Sequence, residues 1–153
     1  MDKLRIAFVG IGSIARRHIC NVCDFLDARG QSYIIDVYRS GIGKPLTQEI
    51  EKRISRQFVF SDESEIKEIY DIVFITNPTA LHYNTLIKFQ NNSRAFFIEK
   101  PVFSNFNIDL KALSKINDKI CYVACPLRYN PVISYIKTNI DCKKVISVRA
   151  ICS

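Results

Sequence analysis

The apolar run Leu4-Arg5-Ile6-Ala7-Phe8-Val9 passes directly into Gly10-Ile11-Gly12-Ser13-Ile14-Ala15, and this junction constrains the fold more than any other stretch of the chain. Two glycines between a strand and a helix suit a place where the backbone turns tightly and something approaches it closely. Gly10 permits the turn, Gly12 leaves the backbone bare toward a pyrophosphate, and Ala15 is small enough for the helix to lie against the strand. The amides of Ser13 and Ile14, with Ile11 before them, then face an anion, helped by the helix dipole. Ser13 is expected to cap a helix over 14–29, whose apolar positions Ile14, Ile19, Val22, Phe25 and Leu26 recur at helical spacing before Gly30. Two other readings stay open: a plain βα turn that tolerates glycines, and a methyltransferase-type cofactor loop.

The rest of the chain repeats the alternation. Strands are expected over 33–38, 58–60, 71–76, 95–98 and 120–124, and helices over 45–56, 62–69, 79–90, 108–117 and 132–140. The run Asp71-Ile72-Val73-Phe74-Ile75-Thr76 is almost continuously apolar, as a strand covered on both faces must be. Strands alternating with helices every twenty to thirty residues mean a parallel sheet with helices on both faces. The pattern Val145-Ile146-Ser147-Val148-Arg149-Ala150 reads as one more strand with no element behind it. It is an edge strand, a swapped strand or the first strand of a missing domain, and the last is favoured.

Length allows one domain, with at most a stub of a second: 153 residues, 48% of them hydrophobic, bury an ordinary core. No run approaches the ~18 apolar residues of a membrane span. The start Met1-Asp2-Lys3-Leu4-Arg5 enters a strand pattern without the apolar stretch of a signal peptide, so a cytoplasmic location is expected. The net charge of +7 favours an anionic partner, but the basic residues are scattered. A phosphate-bearing small molecule is therefore preferred to nucleic acid. Six cysteines in such a chain are read as free thiols. A zinc site would need Cys20 and Cys23 to converge with Cys121 and Cys125, and none is expected.

Three further stretches carry chemistry. The second strand ends in Arg39-Ser40, where an NAD-dependent enzyme usually places a carboxylate on the ribose 2′-hydroxyl. Arg39 and Ser40 suit a 2′-phosphate instead, because a guanidinium is a planar fork that is always charged; the alternative is a solvated loop arginine. Asp36, three residues earlier and inside the strand, is not expected to reach the ribose. After the fourth strand, Asn77 offers hydrogen bonds to a ribose or phosphate, Pro78 stiffens the turn, and His82 either packs, caps or meets the ligand. The fifth strand closes in Glu99-Lys100-Pro101. This is either a solvated pair or a lysine, its pKa lowered by partial burial, that reaches a substrate oxygen.

Together these pieces resemble the amino-terminal half of the glucose–fructose oxidoreductase, inositol dehydrogenase and MocA (Gfo/Idh/MocA) family. The resemblance rests on Gly10-Ile-Gly-Ser-Ile-Ala15 with His18 behind it, on Asp71-Ile-Val-Phe-Ile-Thr-Asn-Pro-Thr-Ala-Leu-His82, and on Glu99-Lys100-Pro101. Leu127-Arg128-Tyr129-Asn130-Pro131 with Lys137 adds a fourth piece, so it covers essentially the whole chain. It implies a Rossmann-type doubly wound sheet of order 3-2-1-4-5-6. It also implies NAD(P)-dependent chemistry at a hydroxyl or carbonyl of a sugar, nucleotide sugar or polyol. In that reading Lys100 binds the substrate hydroxyl and assists proton transfer, Glu99 steadies it, Arg128 lies near the cofactor, and the Lys100–Pro101 bond is cis.

Two departures from the family pattern stand out. Pro126 occupies the place of a common Asn and can donate nothing. The family's second domain, which supplies the substrate pocket together with an Asp and a His, is not expected within these 153 residues, of which Val145 to Ser153 resembles only its first strand. The expectation is thus a cofactor-binding domain over 1–144, with 145–153 opening a substrate and oligomerisation domain. Such a chain binds NADP in preference to NAD without turnover, as a monomer or a strand-paired dimer, while the full-length protein is a homo-oligomer. The alternative is a non-catalytic dinucleotide sensor or scaffold.

Overall fold

The computed structural model describes residues 3–41, 45–60, 66–147 and 149. Six strands, β1 (Leu4–Val9), β2 (Tyr33–Arg39), β3 (Arg56–Val59), β4 (Ile72–Ile75), β5 (Ala95–Ile98) and β6 (Ile120–Val123), form one sheet. Every ladder is parallel and the order is β3-β2-β1-β4-β5-β6, the doubly wound arrangement expected from the sequence. β1 lies at the centre, with Phe8 opposite Val37 of β2 and Phe74 of β4.

The two-residue period of the strands sorts the core by face. Ile6 and Phe8 join Ile35, Val37 and Phe74 beneath α1 (Ser13–Asp27), which brings in Ile19, Cys23 and Leu26. Ala7 and Val9 point the other way, with Tyr38, Val73 and Ile75, against Leu86 and Phe89 of α3 (His82–Phe89). Because both faces are covered, β1 and β4 read as nearly unbroken apolar runs.

Several expected boundaries move. α1 begins one residue early: Gly12 is its N-cap, in extended conformation, so Ser13 is the first helical residue and caps nothing with its side chain. It ends at Asp27, where Gly30, at φ 62°, and the Gln31 amide, which donates to Leu26 O at 3.0 Å, turn the chain away. The polar helix expected over 45–56 shrinks to α2 (Gln48–Glu51), and Arg56, read there as its last residue, opens β3 instead. Of the acidic helix expected over 62–69, residues 61–65 lie outside the described residues and 66–69 are not helical.

The helix expected over 79–90 starts as a 3-10 turn, Thr79–Leu81, before α3. The one expected over 108–117 is a 3-10 segment, Leu110–Ile116, kinked at Leu113; Asp109 caps it through the Lys111 and Ala112 amides. α4 (Pro131–Asn139) is capped by Asn130, whose Oδ1 accepts from the Val132 and Ile133 amides. Residues 145–147 and 149 belong to no strand, and the other positions of the expected terminal strand lie outside the described residues. No helix among the described residues is long and apolar enough to cross a membrane.

Candidate functional site

A cleft of about 720 Å³ opens beyond the carboxyl ends of β1, β2 and β4, at the place where the strand order reverses. Gly10 is its hinge. With φ at 90° it adopts a conformation that L side chains rarely take, and its amide donates to Tyr38 O at 2.8 Å. A Cβ at Gly10 would fall 2.6 Å from Asn77 Cα and 2.7 Å from Asn77 N, so the glycine turn and the loop after β4 touch backbone to backbone. Thr76 fastens the same two segments, its Oγ1 donating to Val9 O at 2.9 Å.

Gly12 differs. Its φ of −67° suits any residue, and a Cβ there would meet nothing within 4 Å. The backbone at Gly12 is therefore bare without any internal need for it, as a cradle for a ligand group requires. Ser13 and Ile14 form the first turn of α1, exposed to solvent, and first-turn amides lack a carbonyl one turn back to bond.

Arg39 and Ser40 reach the same cleft from the end of β2. Arg39 is 6% exposed, and its Nη1 donates to Gln57 Oε1 at 2.8 Å. Arg16 lines the cleft too, its Nε donating to Ile11 O at 3.4 Å. Two arginines thus line an opening that receives the helix N-terminus, and positive charge there suits a phosphorylated ligand. Asn77 and Pro78 form the wall after β4. The Asn77 Nδ2 donates to Thr85 Oγ1 at 2.8 Å, while its buried Oδ1 faces no donor among the described residues. An acceptor left so costs free energy until a donor meets it, and a ribose hydroxyl is one such donor.

His82 does not line this cleft. It is 1% exposed, with Nε2 2.9 Å from Asn77 O and Nδ1 3.1 Å from Val102 O. Of the roles left open in the sequence, packing is the one its position serves: it ties the loop after β4 to the segment after β5.

Glu99, Lys100 and Arg128 sit farther along the sheet, outside the cleft. The Glu99 amide donates to Ile75 O at 3.0 Å, which sets the end of β5 beside that of β4. Its carboxylate contacts His18 Nε2 at 2.8 Å and accepts from the Lys100 amide at 3.3 Å. Lys100 is exposed, and the Lys100–Pro101 bond is cis. The Arg128 guanidinium lies over the Tyr122 ring, 5.6 Å from its centre.

The sequence reading missed three partners. Arg16 had a signal, four residues past Gly12 on the helix whose start faces the cleft. His18 was visible only as a motif residue, and its contact with Glu99 joins positions 81 apart. Gln57 carried no signal, because it falls between the helix expected to end at 56 and the strand expected to begin at 58.

Comparison with known proteins adds to this geometry. The model of the Gfo/Idh/MocA family, an oxidoreductase family with an NAD-binding Rossmann fold, matches residues 4–124. The scyllo-inositol 2-dehydrogenase (NAD(+)) of Bacillus subtilis is 24% identical over 150 residues, covering 94% of this chain and 42% of that protein. The structure of myo-inositol 2-dehydrogenase from Lactobacillus plantarum superposes with a TM-score of 0.70 at 22% identity, over 90% of this chain and 40% of its own. The WlbA dehydrogenase of Bordetella pertussis, in complex with NADH and UDP-GlcNAcA, also gives 0.70, at 21% identity over 90% and 41%. The chain spans about two fifths of the length of these relatives.

Proposed function

Since the chain belongs to the Gfo/Idh/MocA oxidoreductase family, matched through its NAD-binding Rossmann fold, we propose that it is the cofactor domain of a cytoplasmic dehydrogenase acting on a sugar, nucleotide sugar or polyol, with NADP preferred to NAD. The open space over Gly12, beside the α1 N-terminus and two guanidiniums, is the observation that carries this reading. Gly10, Ile11, Gly12, Ser13 and Ile14 hold the pyrophosphate, and Asn77 and Pro78 wall the cleft. Arg39 and Ser40 take the 2′-phosphate, and His82 supports the loop from behind. The bound nicotinamide supplies hydride chemistry. Lys100, steadied by Glu99, binds the substrate hydroxyl and moves its proton, and Arg128 borders that end of the site.

The NADP preference departs from the relatives whose names carry NAD(+) or NADH, and it rests on Arg39. A well-formed charge-assisted bond contributes about 1.5–3 kcal/mol, which makes a preference of about tenfold or more. Salt weakens it only slightly, because Arg39 is almost fully buried. Titration of the chain with NADP and NAD, repeated for Arg39→Ala, checks this. Selective loss of NADP affinity supports the phosphate contact. Equal loss of both cofactors would mean stacking on the adenine instead, and no loss of either would remove Arg39 from the site.

The same reading divides the chain into a cofactor unit over 1–144 and a segment over 145–153 that opens a substrate and oligomerisation domain. Support comes from the apolar residues left exposed on α4 and beyond it, among them Val132, Tyr135 and Ile146, which a further domain would cover. Hydride transfer needs the substrate within ~3–3.5 Å of the nicotinamide, and Lys100 alone builds no pocket. The 153-residue chain is therefore expected to bind cofactor and turn over no sugar. Steady cofactor reduction by inositol or glucose in proportion to chain concentration would refute this.

A further inference from the structure

The Arg39 guanidinium is set from the neighbouring strand. Gln57 pairs with Val37 in the β2–β3 ladder, so strand alternation puts its side chain on the same face as Val37 and Arg39. From there its Oε1 accepts from Arg39 Nη1 at 2.8 Å, with Arg39 almost fully buried and Gln57 half-buried. An arginine loses much rotamer freedom when it grips a ligand, and a contact that orders it beforehand lowers that cost. The chemistry of the partner matters equally. A carboxylate at 57 would hold Arg39 but bring a negative charge that repels an incoming phosphate; an amide oxygen holds it and adds no charge of its own. Five N–H donors in a planar fork allow a guanidinium to hold an amide oxygen and a phosphate together.

We propose that Gln57 is the positioning residue of a 2′-phosphate site, orienting Arg39 toward nucleotides that carry a phosphate monoester on the ribose 2′-oxygen. This rests on the reading of Arg39 given above, and it makes the discrimination a property of β2 and β3 together.

Calorimetric titration with 2′,5′-ADP and 5′-ADP tests it without a nicotinamide or turnover. The parent chain is expected to favour 2′,5′-ADP by about tenfold or more. Gln57→Leu removes the acceptor and should reduce that preference about three- to tenfold, leaving 5′-ADP binding unchanged. Gln57→Glu keeps the acceptor, and so the melting temperature, yet should erase the preference. If Gln57→Leu does not fold, Gln57→Glu carries the test alone. The proposal is overturned if the variants keep the parent preference, or if they weaken both nucleotides alike. Arg39→Ala separates the two ideas. Loss of preference there, with none in the Gln57 variants, sinks only the role of Gln57; an unchanged preference sinks the Arg39 reading and this one with it.

Discussion

Gly10→Ala is expected to destabilise the chain by about 2–5 kcal/mol and to abolish cofactor binding. A φ of 90° puts any side chain in a conformation that costs about 1–2 kcal/mol. The new Cβ, 2.6 Å from Asn77 Cα, can be relieved only by moving backbone, because the loop after β4 is held by Thr76 and His82. Overpacking of that kind adds about 1–3 kcal/mol. Against a total stability of about 5–15 kcal/mol this is a large share, and the melting temperature should fall by something on the order of 10 °C.

Gly12→Ala is the companion measurement. Its backbone is ordinary and its surroundings are open, so the fold should change by less than about 1 kcal/mol while NADP and NAD affinity both fall. A Gly10→Ala chain that melts within a degree of the parent would show that the glycine turn and the Asn77 loop do not meet as described.

Asp36→Ala should cost about 2–4 kcal/mol and leave cofactor preference untouched. The carboxylate is fully buried and accepts from Arg56 Nη2 at 2.7 Å, Arg56 Nε at 3.0 Å and the Tyr70 hydroxyl at 2.9 Å. Tyr70 in turn lies 2.9 Å, oxygen to oxygen, from the Tyr38 hydroxyl. Burial, and then the bonds to Tyr38 and Asp36, push the Tyr70 phenol above its usual pKa and keep it a donor.

Removing one partner of a buried pair usually costs ~3–5 kcal/mol. Here Arg56 is partly exposed and can take up water, so the loss falls at or somewhat below the lower end of that range. Urea unfolding measures the loss, and titration with both cofactors measures the rest. A change in the NADP to NAD ratio would mean that Asp36, and not only Arg39, reaches the ligand. The position argues against that: Asp36 shares a face with Tyr38, while Arg39 shares the opposite face with Val37.

The helical surroundings of the sheet were less legible than its strands. Residues 45–56 have the composition of a polar helix, but the parallel ladder from Asp36 to Arg56 draws the end of that stretch into β3. The segment after Pro101 reads as a helix over 108–117. Asp109 caps it, but non-helical dihedrals at Leu113 break the turn, and Leu113 packs into the core from the 3-10 segment. Such differences arise because propensity is weak over ten residues, and a neighbouring strand or core position outweighs it.

The residue pattern by itself determined the six strands, their parallel pairing and the glycine turn that builds the cleft, while the strand order around β1 was what the family resemblance implied. Those depend on near-neighbour patterns: short, nearly continuous apolar runs, glycines at a strand end, and strand–helix alternation that forces right-handed crossovers. Only the tertiary structure decided which side chains share a place. Gly10 proved to be required by Asn77, His82 to brace a loop from behind, Glu99 to contact His18, and Arg39 to be held by Gln57. Each of those contacts joins positions on different elements. No local pattern encodes a distance across the sheet, and the chemistry of this cleft depends on such distances.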